Sequence, residues 1–228
     1  MKKVKNSGKF RAARIWSNRM LEKYAAHFSG DICNISGWKD EDKEGKKYAD
    51  YFVNAQNYYV TNYGGWRGFS DGEREIYLDL EKELPPELEQ KFDATFNHTT
   101  LEHIFDVRKA LSNICRMTKD ACIIIVPFMQ EAHISESFSD YWRFTPFVMK
   151  RMFEENNFTM VVCEYNNSFN VATYLFCIAI RQERLSSYSC FSEITLDNTN
   201  PAGEWLGYDI TMIKLLKKKI KGLIGQGN

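Results

Sequence analysis

The sequence predicts an α/β fold built on a parallel sheet. Short apolar runs rich in β-branched and aromatic residues alternate with segments whose apolar residues recur every three or four positions, the pattern of repeated βαβ units. Cys122-Ile-Ile-Ile-Val126 is apolar at every position, as a strand covered on both faces should be. The 228 residues are 44% hydrophobic and 26% charged, enough to build one substantial core.

The elements follow in order. Ile15, Met20, Leu21, Tyr24 and Phe28 make an amphipathic stripe over about residues 11–28, ended by Gly30. Residues 31–36 read as a short buried strand opening into a loop, 37–43. There Asp40, Glu41 and Asp42 look like the solvated start of a helix reaching about Phe52. Strands are expected at 57–62, closed by Gly64-Gly65, at 75–80 and at 92–97. Asp106 is positioned to cap a helix carrying Ala110, Leu111, Ile114 and Cys115, and Pro127 should stop the strand that follows. Thr145-Pro146 makes a cap and first-turn pair for a helix bearing Val148, Met149, Met152 and Phe153. Residues 158–165 and 171–181 are two further strands, joined by an Asn-rich turn.

Lys and Arg balance Asp and Glu at 30 each, but not evenly along the chain. Residues 1–19 hold seven basic side chains and no acid, and residues 210–228 hold five Lys and no acid. The body between them is acidic, which argues against a surface that coats nucleic acid. The division expected is a domain over 1–209 and a basic amphipathic tail over 210–228. In the tail Ile213, Leu216, Ile220, Leu223 and Ile224 form an apolar stripe flanked by Lys217, Lys218 and Lys221. Such a stripe either folds back on the domain or lies on an anionic membrane surface through Ile210 to Ile224. No apolar run is long enough to cross a bilayer and the start lacks a signal peptide's apolar region, so a cytoplasmic protein is expected. The six cysteines include no Cys-x-x-Cys pair, so reduced, structural thiols are expected.

In open α/β sheets ligands bind past the carboxyl ends of the strands. Those positions here hold Ser36, Gly37 and Trp38 after the first strand, Asn62 at the end of the second, Asp79 and Leu80 at the third, Asn97 and His98 at the fourth, and residues 128–133 after the fifth. Phe92-Asp-Ala-Thr-Phe-Asn-His-Thr-Thr-Leu-Glu-His103, followed by a helix and Ile123-Ile-Ile-Val-Pro-Phe128, resembles the fourth- and fifth-strand motifs of class I S-adenosylmethionine-dependent methyltransferases (type 11-like). The resemblance runs from about Tyr24 to Arg181. Asp140-Tyr-Trp-Arg-Phe-Thr-Pro146 is similar to a segment of members encoded with bacterial surface-polysaccharide genes. It implies a Rossmann-like seven-stranded sheet flanked by helices, its last strand antiparallel, with S-adenosylmethionine held by Ser36, Gly37, Trp38, Asn62, Asp79, Leu80, Asn97 and His98. Family members usually carry a Gly-x-Gly-x-Gly loop after the first strand and an acidic residue at the end of the second. This chain has Gly37 followed by Trp38, and Asn62.

His133, in the loop after the fifth strand, is the candidate general base for a hydroxyl acceptor, with a plain surface histidine as the alternative. Tyr141, Trp142 and Arg143 combine aromatic faces with a forked donor, suited to gripping a sugar or to anchoring a core. His98 and His103 flank Glu102 at a spacing that matches no common metal motif, so no metal is expected. Glu102 and His103 are expected to tie or cap the following helix. Two functions stand. One is an O-methyltransferase acting on a glycan or small hydroxylated acceptor. The other is a catalytically inactive methyltransferase-like scaffold or binding subunit in polysaccharide assembly, which Trp38 and Asn62 favour. A nucleic-acid methyltransferase is disfavoured, since no Asn-Pro-Pro-Tyr-like loop follows the fourth strand.

Overall fold

The computed structural model describes residues 8–64, 71–136, 138–166 and 172–194. The tail 210–228 lies outside the described residues, as do Gly65 and most of the Asn-rich turn. Helix α1 (Gly8–Tyr24) passes through a 3-10 turn at Ala25–His27 into strand β1 (Gly30–Ile35). Strands β2 (Ala55–Asn62), β3 (Glu75–Tyr77) and β4 (Phe92–His98) follow, then helix α2 (Val107–Met117) and strand β5 (Thr118–Met129). Helix α3 (Pro146–Glu154) and strands β6 (Phe158–Tyr165) and β7 (Thr173–Arg181) complete the sheet. Asp106 and Thr145 cap α2 and α3 as expected, accepting from the backbone N–H of Lys109 and Val148.

The seven strands stand in the order β3-β2-β1-β4-β5-β7-β6. Pairing is parallel from β3 through β5, and β7 runs antiparallel to both β5 and β6. The chain order reverses between β1 and β4, so a crevice opens past the carboxyl ends of these two strands. Alternation along the strands supplies both faces. Cys33, Ile35, Cys122, Ile124 and Val126 pack against Leu111 and Ile114 of α2 and Met149 and Phe153 of α3. Ile32, Phe96, Ile123 and Ile125 face the other way, toward Ala13, Met20 and Leu21 of α1. Gly30 opens β1 at φ +84°, and a Cβ there would meet the Asp93 carboxylate that binds Asp31 N–H.

Two local expectations are corrected. Pro127 does not stop β5, which runs on to Met129 paired with β7. Backbone groups two residues apart point the same way along a strand, and Ile125 O accepts from Thr99 N on the β4 side. The Pro127 nitrogen therefore points past the end of β4, where no ladder bond is lost, while its carbonyl accepts from Phe144 N. The acidic run does not begin a helix either: between Lys39 and Phe52 only Tyr48–Tyr51 forms a 3-10 turn. Asp42 turns inward to accept from Tyr51 OH and from Glu44 and Lys46 N–H, and Asp40 accepts from Asn34, Tyr58 OH and Ala49 N–H. Carboxylates that capture nearby backbone donors compete with helix formation.

All six cysteines are free, five buried and Cys190 exposed. Among the described residues no helix is long and apolar enough to cross a membrane. Phe96 is fully buried, its ring 5.1 Å from Tyr48 and 5.7 Å from Phe52. Phe96→Ala should cost about 3–5 kcal/mol in urea denaturation, whereas Val53→Ala, at a position 71% exposed, should change stability by less than about 0.5 kcal/mol.

Candidate cofactor and acceptor site

At the carboxyl ends of β1 and β2 the chain binds itself. The N–H groups of Ser36, Gly37 and Trp38 donate in turn to Thr61 Oγ1 (3.0 Å), Thr61 O (3.1 Å) and Asn62 Oδ1 (2.7 Å). Asn62 Nδ2 donates back to Trp38 O at 3.0 Å and to Glu75 Oε1 at 2.7 Å. Gly37 lacks a side chain for an internal reason: a Cβ there would lie 2.5 Å from Asn34 Nδ2. Asn34 in turn donates to Asp40, whose carboxyl burial holds above the ordinary range against three hydrogen bonds. The resemblance implies Gly37 and Asn62 as cofactor contacts. In the fold, Gly37 makes room for Asn34 and the Asn62 amide, buried, clamps the Trp38 backbone. The indole of Trp38 is left 58% exposed. Leu80 also differs from expectation, because its side chain is buried with Leu78 and Leu84. Asp79, just beyond β3, is partly exposed and takes Glu81 N–H.

The end of β4 is tied to α1 by a closed circuit of hydrogen bonds. Arg14 Nη2 donates to Thr99 Oγ1 (2.9 Å), which is 3.0 Å from His98 Nδ1. His98 Nε2 is 2.8 Å from Ser17 Oγ, and Ser17 gives its own proton to Arg14 O. The Ser17 hydroxyl must then accept from His98 Nε2–H, and Thr99 Oγ1, which keeps a proton of its own, can donate it to Nδ1 of a neutral imidazole. Burial, with the Arg14 charge beside it, depresses the His98 imidazole well below its ordinary value. Next to it Asn97 Nδ2 donates to Ile35 O, while its Oδ1 is buried without a hydrogen-bond partner.

Past β4 and β5 the chain gathers its remaining chemistry. Glu102 does not cap α2: its side chain is 1% exposed, and neither oxygen has a hydrogen-bond partner. Burial pushes this carboxyl up to about 8. His103 Nδ1 lies 2.6 Å from Ser139 O, and its ring stands edge-on to His133 at 4.8 Å. His133 Nδ1 is 3.5 Å from Asp140 Oδ2, which also accepts His133 N–H at 2.8 Å. Burial lowers the His133 imidazole, partly countered by the Asp140 charge. For Asp140 burial acts upward, but the Arg143 fork and the His133 N–H outweigh it and hold the carboxyl below its ordinary value. Arg143 is committed inward, with Nη1 and Nη2 at 2.6 and 2.7 Å from the two Asp140 oxygens and further donors on Trp142, Gln130 and Glu131 carbonyls. Its fork pins the loop rather than facing a ligand. Trp142 Nε1 donates to Ile104 O, whereas Tyr141, 48% exposed, stands edge-on to the exposed Phe105.

Sequence reasoning missed Arg14 and Asp140. The signal for Arg14 lay in α1, where polar Arg14, Ser17 and Asn18 interrupt the apolar face.

The donor set can be tested against S-adenosylmethionine, which asks for a flat surface for adenine, acceptors for ribose hydroxyls and a cation for its carboxylate. Trp38, Tyr63 and Tyr77 stand exposed at the ends of β1, β2 and β3, the last two 5.9 Å apart. Asp79 offers a carboxylate, and Arg14 brings positive charge to His98, Glu102 and His133. The residues fit by side chains, not through the loop N–H groups or Asn62.

No family model matches the sequence, and no curated protein matches it. Solved structures do. A methyltransferase dependent on S-adenosylmethionine from Archaeoglobus fulgidus superposes with TM-score 0.55 at 15% identity, over 76% of this chain and 96% of that one. The magnesium protoporphyrin IX methyltransferase of Synechocystis, with bound S-adenosylmethionine, gives 0.52 at 8% identity, over 79% and 86%. The 1,6-didemethyltoxoflavin-N1-methyltransferase of Burkholderia thailandensis, with its acceptor and S-adenosylhomocysteine, gives 0.51 at 14%, over 76% and 84%. At these identities the likeness establishes the fold: the Rossmann-like methyltransferase sheet with an antiparallel β7.

Asn62→Asp should destabilise the protein by about 1–3 kcal/mol, because it removes the donors to Trp38 O and Glu75 and adds a second carboxylate. Urea denaturation should recover part of the loss in Asn62→Asp/Glu75→Gln. For His98 the sign is that of a depressed histidine. The unfolded chain takes up a proton as pH falls through about 6.5 while the folded chain does not, so stability present above that pH is lost below it. The slope from this group is at most about 1.4 kcal/mol per pH unit. Between about pH 6.5 and 5, His98→Asn should show a shallower decline than the parent in melts recorded at stepped pH.

Proposed function

We propose that the protein is an S-adenosylmethionine-dependent O-methyltransferase whose acceptor is a glycan or a small hydroxylated molecule. The observation that carries the reading is the His133–Asp140 pair past β5, on a sheet of methyltransferase order. Trp38, Tyr63 and Tyr77 would cover the adenine, Asp79 would accept from the ribose, and Arg14 would meet the carboxylate at the end of β4. The bound cofactor supplies an electrophilic methyl group on a sulfonium. Asp140, itself fixed by Arg143, orients the His133 ring, and His133 receives the proton of the acceptor hydroxyl. Phe105 and Tyr141 offer exposed aromatic faces on which an acceptor ring can stack. Most of the rate would come from holding acceptor and donor in line.

A specific observation favours a second reading, a cofactor-free binding subunit: the N–H groups of residues 36–38 are already bonded to β2. Calorimetric titration of the folded protein with S-adenosylmethionine separates the two, since heat at one site per chain supports the enzyme and no heat at millimolar ligand supports the subunit. For the enzyme, His133→Ala should lower methyl transfer by about two to four orders of magnitude with cofactor affinity nearly unchanged. Full turnover by this variant on the true acceptor would return His133 to an ordinary loop histidine.

A further inference from the structure

Glu102 asks for an explanation that the proposed reaction does not supply. Its carboxyl group is enclosed at the ligand edge of the sheet with no hydrogen bond to either oxygen. A buried carboxyl group whose oxygens make no hydrogen bond is costly whether charged or neutral, and a cation bound against it would remove that cost. Two imidazoles stand beside it. One ligand atom each from Glu102, His103 and His133 can be chosen so that all lie within 4.8 Å of one another, and His103 Nε2 is already 3.7 Å from Glu102 Oε1.

We propose that Glu102, His103 and His133 form a binding site for one divalent transition-metal ion, of the zinc, cobalt, iron or manganese type. The donor set selects the class. Two imidazole nitrogens and one carboxylate suit these ions, whereas magnesium and calcium prefer oxygen throughout. Distances agree with it. Metal–ligand bonds of about 2.0–2.2 Å put adjacent donors roughly 3.0–3.5 Å apart, so the His103–Glu102 pair, at 3.7 Å, is nearly in position.

The surroundings of the rings point the same way. In each, Nδ1 faces an acceptor, Ser139 O for His103 and Asp140 Oδ2 for His133. A ring whose Nδ1–H is given to oxygen is held as ligating histidines are usually held. Gln130 adds to it. Its Nε2 is set 3.3 Å from His133 Nδ1 while its Oε1 is buried without a partner. With the amide turned over, Oε1 rather than Nε2 faces His133 Nδ1 and shares its proton with Asp140. Sheet pairing brings the ligands together, since Glu102 and His103 follow β4 and His133 follows the adjacent β5.

The inference rests on the proposed function and revises its acceptor end: in loaded protein His133 would be a ligand and not the base, and coordination would acidify the acceptor hydroxyl so that it gives its proton to water. Binding of the ion itself does not depend on methyl transfer and is measured apart from it. The full chain, stripped with chelator, is titrated with Zn²⁺ by calorimetry and with Co²⁺ by visible absorption. One ion per chain is expected, with Co²⁺ bands of nitrogen and oxygen ligation. Glu102→Gln and His103→Gln should each weaken binding by about 100-fold while circular dichroism shows a folded protein. Cys190→Ser should leave binding unchanged, which guards against a site at Cys190 and His27, 3.7 Å apart. No stoichiometric binding, or affinity unmoved by both Glu102→Gln and His103→Gln, overturns the site, as does loss of binding in Cys190→Ser. Metal binding without response to S-adenosylmethionine would leave the site standing and overturn the methyltransferase; the reverse result would do the opposite.

Discussion

Two apolar layers seal the faces of the sheet, and this constraint sends the chemistry to the strand ends. Along β1, β4 and β5 consecutive residues point to opposite faces, and the apolar ones, such as Ile32, Cys33, Phe96 and residues 121–126, fill both layers. The few polar side chains inside the sheet are spent on joining it: Thr95 to Thr118, Thr118 to Ile114 O, and Asn97 to Ile35 O. A ligand group cannot enter such a layer without stranding a polar atom. It can meet one where the pairing stops, and the reversal of strand order between β1 and β4 marks where the ends part.

The two halves of that edge are built differently. At β1 and β2, backbone donors and the Asn62 amide are exchanged between neighbouring loops, so what this half presents to solvent is exposed rings such as Trp38. At β4 and β5 the polar groups are only partly satisfied, with Asn97 Oδ1 and both Glu102 oxygens lacking hydrogen-bond partners. Arg14 reaches this region from α1 through Thr99, and the neutral His98 completes the return path. The helix is therefore tied to the carboxyl end of β4 as well as packed into the core. A methyl acceptor bound past β5 would lie against the half of the edge with bonding capacity left over.

Most of the fold was legible because its determinants are local. Strands announced themselves by β-branched runs, and Asp106 and Thr145-Pro146 marked helix starts within three residues of the groups they cap. Local reading failed where the partner is distant in sequence. Nothing near Pro127 tells that β4 ends one rung earlier, and nothing near Asp42 tells that Tyr51 OH will meet it. The candidate site divides in the same way. Strand-end positions could be named, but whether a side chain faces outward, as Trp38 does, or inward, as Asn62, Leu80 and Arg143 do, depends on contacts across the sheet. A Glu near a helix start usually ties or caps it, and nothing local to Glu102 says otherwise. Its burial follows from the loop after β5, whose Tyr141 and Trp142 N–H groups bond the Glu102 carbonyl.

The loop after β1 shows how a backbone without the usual glycines keeps its shape. Ser36, Trp38 and Asp40 all adopt left-handed φ, between 49° and 58°. For residues with a Cβ this conformation costs roughly 1–2 kcal/mol each, and three within five positions would unravel an unsupported loop. Support comes from both sides. Residues 36–38 are bonded to β2, while Asp40 is held by Asn34 from β1, Tyr58 from β2 and Ala49 from the far end of the loop. The strain is thus carried by a network that reaches two strands, and its product is a fixed, exposed indole at the carboxyl end of β1. Strained turns that persist in this way are concentrated at functional sites. A glycine-rich loop would leave the same position supple and let backbone approach the ligand. This chain instead holds the backbone away and extends an aromatic face, so any nucleoside bound here is met by a side chain whose orientation depends on Asn62.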